Sequence, residues 1–458
     1  MNTDLAFLKE IKDSYSSFDD YCRQEIGPIA VEYPLDEDIR HRLEAVSLRD
    51  DDEDFEIFRF FDNLITLWEK LIEKSIKALR YFDKREPFKK YPTKHPLAYG
   101  VEELRNYFDK YIKFETTLYG SSRYYRDHVV HVFRVWILGV SRLLSNDSNL
   151  LKIIEVDKKC SVNPLEKLSI WTLVALTHDL GYPLEKSLEV VERTKDMMKS
   201  FVVNPTISMD LSFNGVQNSM NDFVLRFMSS KMIEKKREGN DEYKYVARLQ
   251  PKYYFKFQKS LERNKHGVLS ALVIYKILRY FLESDYSTNE DYYFNAEDTR
   301  QFYIRREILR AISSHTCHDI YQLTAKNFSF LLILCDDAQE WGRKGISELY
   351  INKSIEYDYD GLNINFGGDN INVSFGEKYK NVDKEEDVKT IILRFIDISR
   401  DYNEIFRDGL DTAKRDFCFK KNTEVDFGTG NNKVAISMSL VISNETSSKI
   451  NITLSSNN

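Results

Sequence analysis

Between residues 118 and 345 the chain carries a series of segments that read as helices with apolar residues on nearly every face. They are HVFRVWILGVSRLL (131–144), LSIWTLVALTHDL (168–180), HGVLSALVIYKILRYFL (266–282), YIRREILRAISSH (303–315) and FSFLLILCDDAQEW (328–341). A helix laid on a surface shows one apolar stripe, whereas one that is apolar all round is buried among others. The segments therefore predict a helical bundle with several helices in its interior. No run of about 18 apolar residues occurs, so no helix is expected to span a membrane. The opening MNTDLAFLKEIKDSY is charged early and lacks the long apolar core of a signal peptide.

The flanks have a different texture. Residues 1–117 read as an N-terminal helical region. FEIFRFFDNLITLWEKLIEKSIKALRYF (55–82) repeats apolar residues at helical spacing, and a second stretch runs from Val101 to about Tyr119. The acidic run Asp50-Asp51-Asp52-Glu53-Asp54 suits the positive end of a helix dipole. After about residue 346, INKSIEYDYDG, LNINFGGDN and INVSFGE alternate polar and apolar residues, as strands do. A helix over 386–406 and further strands in EVDFG, KVAISMSLVIS and KINITLS complete a small α+β domain. The expected fold is mainly α, with regions at 1–117, 118–345 and 346–458.

Charge and cysteines remove some possibilities. Lys+Arg and Asp+Glu nearly balance, for a net charge of -7, so nothing favours nucleic acid or an anionic membrane in general. A local basic cleft for a phosphate-bearing ligand remains open. The five cysteines, Cys22, Cys160, Cys317, Cys335 and Cys418, are scattered and contain no CxxC pair. That pattern fits neither a disulfide framework nor a cysteine zinc site, and a reducing, cytoplasmic setting is expected.

The chemistry sits where the apolar helices end. Of eight histidines, six fall between residues 128 and 318, and several lie at the ends of apolar segments. His178 is followed at once by Asp179, and Asp336-Asp337 follow the run FLLILC. A carboxylate there loses hydration, which costs several kcal/mol unless it is paired or bound to a metal. Imidazole and carboxylate suit several divalent ions. The ordered set is too rich for one tetrahedral zinc and suits two ions sharing a carboxylate.

That order, His…His-Asp…His…His…Asp, resembles the HD superfamily of metal-dependent phosphohydrolases. The matching segments are RDHVVHVFRVWILG (126–139), ALTHDLGYP (175–183), KHGVLSALVIY (265–275), AISSHT (311–316) and LCDDAQEWGR (334–343). The resemblance implies an HD-type helical bundle over 118–345. It implies a first metal ligand at His131, the namesake pair at His178 and Asp179, further ligands at His266 and His315, and a last one at Asp336. Asp179 would bridge two divalent ions drawn from Mn, Fe, Zn, Co, Ni or Mg. Asp337 and His318 are the less favoured alternatives to Asp336 and His315.

Other roles follow from the same resemblance. Cyclic nucleotide phosphodiesterases place a general-acid histidine four residues before the first ligand; here His128 stands three before it, on the same face of one continuous helix. The lysine that often follows the His-Asp-x-Gly turn is missing, since Tyr182-Pro183 stand there, and Lys186 one turn later is the substitute. Arg126, Lys265 and Arg343 flank the ligand segments and are candidates for holding phosphate oxygens. The expected activity is hydrolysis of a nucleotide, cyclic nucleotide or related phosphoester through a metal-activated hydroxide. The binuclear subgroup also contains diiron oxygenases related to myo-inositol oxygenase, and a non-catalytic nucleotide sensor is a third reading. A homo-oligomer is compatible with the sequence.

Overall fold

The computed structural model describes residues 3–457 except 30, 48–60, 86–97, 122–125, 146–148, 202–215, 237–242, 285, 290, 318–323, 325, 344–355, 368–369, 409–416, 429–432 and 444–445. The acidic run Asp50–Asp54 and His318 lie outside the described residues. The chain is mostly helical, with a small C-terminal sheet. The first region holds α1 (Thr3–Ile26), α2 (Glu37–Ser47), α3 (Phe61–Tyr81) and α4 (Val101–Ser121). Then come α5 (Val129–Leu144), the single-turn α6 (Leu150–Ile153), α7 (Pro164–Thr177), α8 (Tyr182–Met198) and α9 (Val216–Ser229). After them lie α10 (Pro251–Glu262), α11 (His266–Ile277), the short α12 (Arg279–Leu282), α13 (Ala296–Ser314) and α14 (Phe328–Ala338). Strands β1 (Ser230–Lys236) and β2 (Tyr243–Leu249) pair antiparallel between α9 and α10. Neither strand is expected from the sequence, because both are short and rich in charge.

Helix α7 is the axis of the assembly. All of its residues are buried, as its all-round apolar sequence predicts, and it packs against α3, α5 and α13. A reciprocal cap starts it: the Asn163 side chain accepts from the Glu166 backbone N–H at 2.9 Å, and Glu166 accepts from that of Asn163 at 3.0 Å. The Trp68 indole of α3 donates to the Leu176 carbonyl at 2.9 Å and so holds the other end. Helices α5 and α7 meet at Gly139, where an added Cβ would fall 2.0 Å from the Trp171 ring. Gly139→Ala should therefore cost about 1–3 kcal/mol by overpacking, which exceeds the roughly 1 kcal/mol of helix propensity it gains. Denaturant unfolding measures this, and a variant as stable as the parent would refute the tight crossing.

Helix α1 packs along α5 and is tied to the interior by a buried ion pair. The Asp4 carboxylate accepts from Arg134 Nε at 3.1 Å and Nη2 at 3.0 Å, and from the Trp341 indole at 2.6 Å.

The C-terminal part comprises β3 (Glu356–Gly367), β4 (Asn370–Val382), α15 (Glu385–Asp408), β5 (Phe417–Phe427), β6 (Lys433–Ser443) and β7 (Thr446–Asn457). The five strands lie in sequence order, and only β4 and β5 are parallel. A parallel pair needs a crossover, which α15 supplies. Its Tyr402 ring stacks on Phe419 of β5 at 4.4 Å, and its Tyr402 hydroxyl lies 3.5 Å from the Ile333 carbonyl of α14. No helix among the described residues is long and apolar enough to cross a membrane.

Candidate metal centre

The helices deliver their ends to one place. His178 directly follows α7, His315 directly follows α13, and Asp336 lies in the last turn of α14. Helix C-termini carry partial negative charge, which suits a cation. His131 lies in the first turn of α5, and His266 opens α11.

Asp179 is central. Its Oδ1 lies 3.3 Å from His266 Nε2 and 3.5 Å from His315 Nε2. Its Oδ2 lies 3.5 Å from His178 Nε2 and 3.9 Å from His131 Nε2. Asp336 Oδ1 closes that second side, 2.8 Å from His131 Nε2 and 3.8 Å from His178 Nε2. His266 and His315 bring their Nε2 atoms within 3.1 Å of each other. The structure thus brings together all six residues that the sequence suggests as ligands. Among the described residues, two groups of donor atoms within 4.8 Å of one another could hold a metal ion: His131, His178 and Asp336; and His178, Asp179 and His315.

The donors fit an ion. Tetrahedral donors about 2.1 Å from a shared ion stand roughly 3–3.5 Å apart, close to most of these spacings. Among the described residues the buried Nε2 atom of His178 has no hydrogen-bond partner. An unsatisfied buried nitrogen aimed at two carboxylates is costly in an apolar interior unless something binds there.

Each imidazole is held from behind. The Nδ1 of His178 donates to the Ala175 carbonyl at 2.8 Å, and that of His315 to the Ile312 carbonyl at 2.5 Å. His131 Nδ1 donates to the side-chain oxygen of Gln339. His266 Nδ1 donates to Glu185 Oε2 at 2.6 Å, and that oxygen also accepts from the His266 backbone at 2.7 Å. These bonds turn each Nε2 toward the centre, as outer partners of metal ligands do. Ser270 locks the turn after His178: it donates to the His178 carbonyl at 2.6 Å and accepts from Gly181 N–H at 2.7 Å. A Cβ at Gly181 would lie 2.4 Å from the His266 carbonyl, so α8 and α11 approach too closely there for any larger residue.

Electrostatics follow this packing. Burial alone would raise the Asp179 carboxyl, but the charge of His178 and hydrogen bonds from His266 and His315 hold it well below the ordinary range. The neighbouring His131 and His178 imidazoles do the same for Asp336 against its own burial. Burial and then the Arg343 charge push His131 down to about 4. His266 is raised to about 9, because Asp179 and Glu185 outweigh its burial. Glu185 in turn is lowered to about 2 despite burial, by its bonds to His266.

The pair has a measurable consequence. A metal needs His266 Nε2 without its proton, and the metal-free ring keeps that proton up to about pH 9. Binding at neutral pH should therefore release a proton, and affinity should rise with pH toward 9. Titration calorimetry in buffers of different ionisation enthalpy reads the release; a zero count at pH 7.5 contradicts the assignment. Glu185→Gln should weaken binding by roughly 10–100-fold.

The remaining candidates fall around this core. His128 does not share a continuous helix with His131. It is the residue before α5, its ring stacked on Tyr182 with centroids 3.7 Å apart and 6.2 Å from that of His131. Burial and Arg343 hold His128 well below its usual value, so its ring is neutral. Arg343 donates by Nε to the Asp127 carbonyl at 3.2 Å. Lys265 pairs with Glu185 at 3.5 Å, behind His266. Arg126 pairs with Glu340. Lys186 turns to Glu189 on its own helix at 3.5 Å and lies 5.6 Å from the Tyr182 ring. Asp337 faces the other way from Asp336, toward Tyr402, and burial followed by the charge of Asp336 raises it to about 7. Cys335 and Cys317, which lie near the candidate ligands in sequence, are buried.

Some residues were invisible in the sequence. Glu185, Gln339 and Ser270 are ordinary helix or loop residues with no telling spacing. Helix α4, which the sequence reading leaves outside the central region, contributes two groups. The Tyr107 hydroxyl donates to the Leu180 carbonyl at 2.7 Å, and Glu115 caps α5 by accepting from the His128 backbone at 2.8 Å.

No family model matches the chain, and neither a curated protein nor a solved structure matches it.

Proposed function

We propose that this chain is an HD-type, metal-dependent phosphohydrolase acting on a nucleotide, cyclic nucleotide or related phosphoester. The observation that carries the reading is Asp179, with one oxygen toward His266 and His315 and the other toward His178 and His131, which Asp336 also faces. A carboxylate so placed is the natural bridge of a two-ion site. One ion would rest on His131, His178 and Asp336, the other on His266 and His315, with Asp179 shared. Two divalent ions, when bound, supply an activated water and polarise a phosphoryl oxygen.

The protein's own groups do the rest. The helix C-termini that carry His178, His315 and Asp336 favour cations, and the N-termini of α5, α8 and α11 favour the anionic substrate. Arg343 sets a buried guanidinium beside the centre, suited to a phosphate of the bound ligand. His128 is neutral, so it serves the leaving oxygen as a hydrogen-bond donor and not as a stored imidazolium.

Metal content of the purified protein comes first. Mn-, Fe- and Co-loaded protein is then assayed against a panel of nucleotides and cyclic nucleotides. Release of phosphate or a cleaved phosphoester, abolished in a His178→Ala, Asp179→Ala variant, is the expected result. Two irons with turnover that requires oxygen would replace this reading with diiron oxygenase chemistry, since the same nitrogen and oxygen donors suit iron. Tight nucleotide binding without turnover under every metal would make it a sensor.

A further inference from the structure

Just outside the ligand shell, one carboxylate serves three guanidinium groups. Glu340 stands four residues after Asp336, and its side chain is only 2% exposed. Arg126 reaches both of its oxygens, Nη1 to Oε2 and Nη2 to Oε1 at 3.4 Å. Arg394 of α15 also engages both. Arg343 Nη1 lies 4.0 Å from Oε1. Among the described residues no other carboxylate comes within 4.0 Å of Arg126 or Arg394. Asp337 and Asp336 act on Arg394 from farther away, and Asp336, Asp179 and Asp127 on Arg343.

At contact distance this leaves three positive charges against one negative charge. Crowded like charges are unfavourable in a partly desolvated site, and an arginine pair for structure alone needs one arginine. The three are also graded in exposure. The Arg126 side chain is 32% exposed, that of Arg394 23%, and that of Arg343 8%. The innermost, Arg343, already acts electrostatically on His128 and His131. The cluster therefore leads from solvent to the metal centre. Planar guanidinium forks match phosphate oxygens in pairs, which a lysine does not.

We propose that Arg126, Arg343 and Arg394 form a binding site for a second phosphate of the ligand, apart from the phosphoryl group at the metal centre. The substrate class is then a compound with at least two phosphates, such as a nucleoside polyphosphate. The C-terminal α+β domain takes part in recognising it through Arg394. Glu340 holds the three forks in register and shares them with the incoming anion. The proposal rests on the phosphohydrolase reading above and deepens it.

Calorimetric titration of the full chain, as purified, with inorganic tripolyphosphate tests this. Arg394→Gln should raise the dissociation constant tenfold or more, and Arg394→Lys should restore only part of the loss. Both should keep the parent's metal content and thermal transition. Arg126→Gln should also weaken binding, and it decides the question if Arg394→Gln does not fold. Tripolyphosphate binding that is absent, or equally tight in the folded arginine variant, overturns the second site. Neither outcome touches the hydrolase reading, which is judged by bound metal and by turnover of the nucleotide panel. Among nucleotides that are turned over, the Arg394→Gln variant should raise KM for a diphosphate more than for a monophosphate; an equal change for both also counts against the site.

Discussion

An Asp179→Asn protein should lose both ions, with metal affinity reduced by more than the roughly 100-fold that loss of an outer partner produces, and turnover falling to background. The substitution keeps the side chain's size and changes only its chemistry. An amide has one oxygen and no charge, whereas the carboxylate faces His266 and His315 with one oxygen and His131 and His178 with the other. One-sided variants should behave differently. His131→Ala should weaken one ion more than the other, and His315→Ala should do the reverse. Metal analysis after gel filtration, with calorimetric titration of the stripped protein, reads both counts. An Asp179→Asn protein that retains one ion at full affinity would show that the carboxylate does not bridge.

The second large effect lies far from the ligands in sequence. Asp4→Ala should destabilise the fold by about 3–5 kcal/mol, because it strips its ion partner from a buried guanidinium. Arg134 is only 1% exposed, three residues after His131 on α5. Trp341, which also donates to Asp4, is two residues after Gln339, the partner of His131. The same substitution should therefore loosen the first metal half-site. The double variant Asp4→Leu, Arg134→Met should recover much of the stability, since an apolar pair costs less than a buried guanidinium that has lost its carboxylate. Urea unfolding of the three proteins decides it; an Asp4→Ala midpoint equal to the parent's would show that the pair is dispensable.

The six candidate ligands that the fold brings together are legible in the sequence for a physical reason. Metal chemistry permits few side chains, and an apolar helix that ends in His or Asp breaks its own pattern conspicuously. His131, His178, Asp179, His266, His315 and Asp336 all announce themselves that way. Their supports do not. Glu185 looks like any acidic residue in the first turn of a helix, where the dipole alone would account for it. Its bond to His266 exists only because α8 and α11 touch at Gly181. Asp4 reads as a first-turn acid for the same reason, and only the packing of α1 on α5 reveals Arg134 behind it. The flanking cations were legible as cations but not as paired ones. Lys186 and Lys265 each turn to a nearby carboxylate. Arg126 gains its meaning from Arg394, which the sequence places in another region altogether. The charged β1–β2 hairpin was missed because strong polarity masks strand alternation.

The separation of the ligands along the chain governs when the protein can acquire its ions. His131 and Asp336, in contact at the centre, are 205 positions apart, and His266 and His315 are 49 apart. Apart from the short stretches His128–His131, His178-Asp179 and His315–His318, an unfolded chain offers no local chelate. Ions should then bind almost exclusively to the folded protein, and each adds RT ln(1 + [L]/Kd) to its stability. On the two-ion reading, loading would follow folding, and a chelator would lower the protein's stability by the amount that bound metal adds.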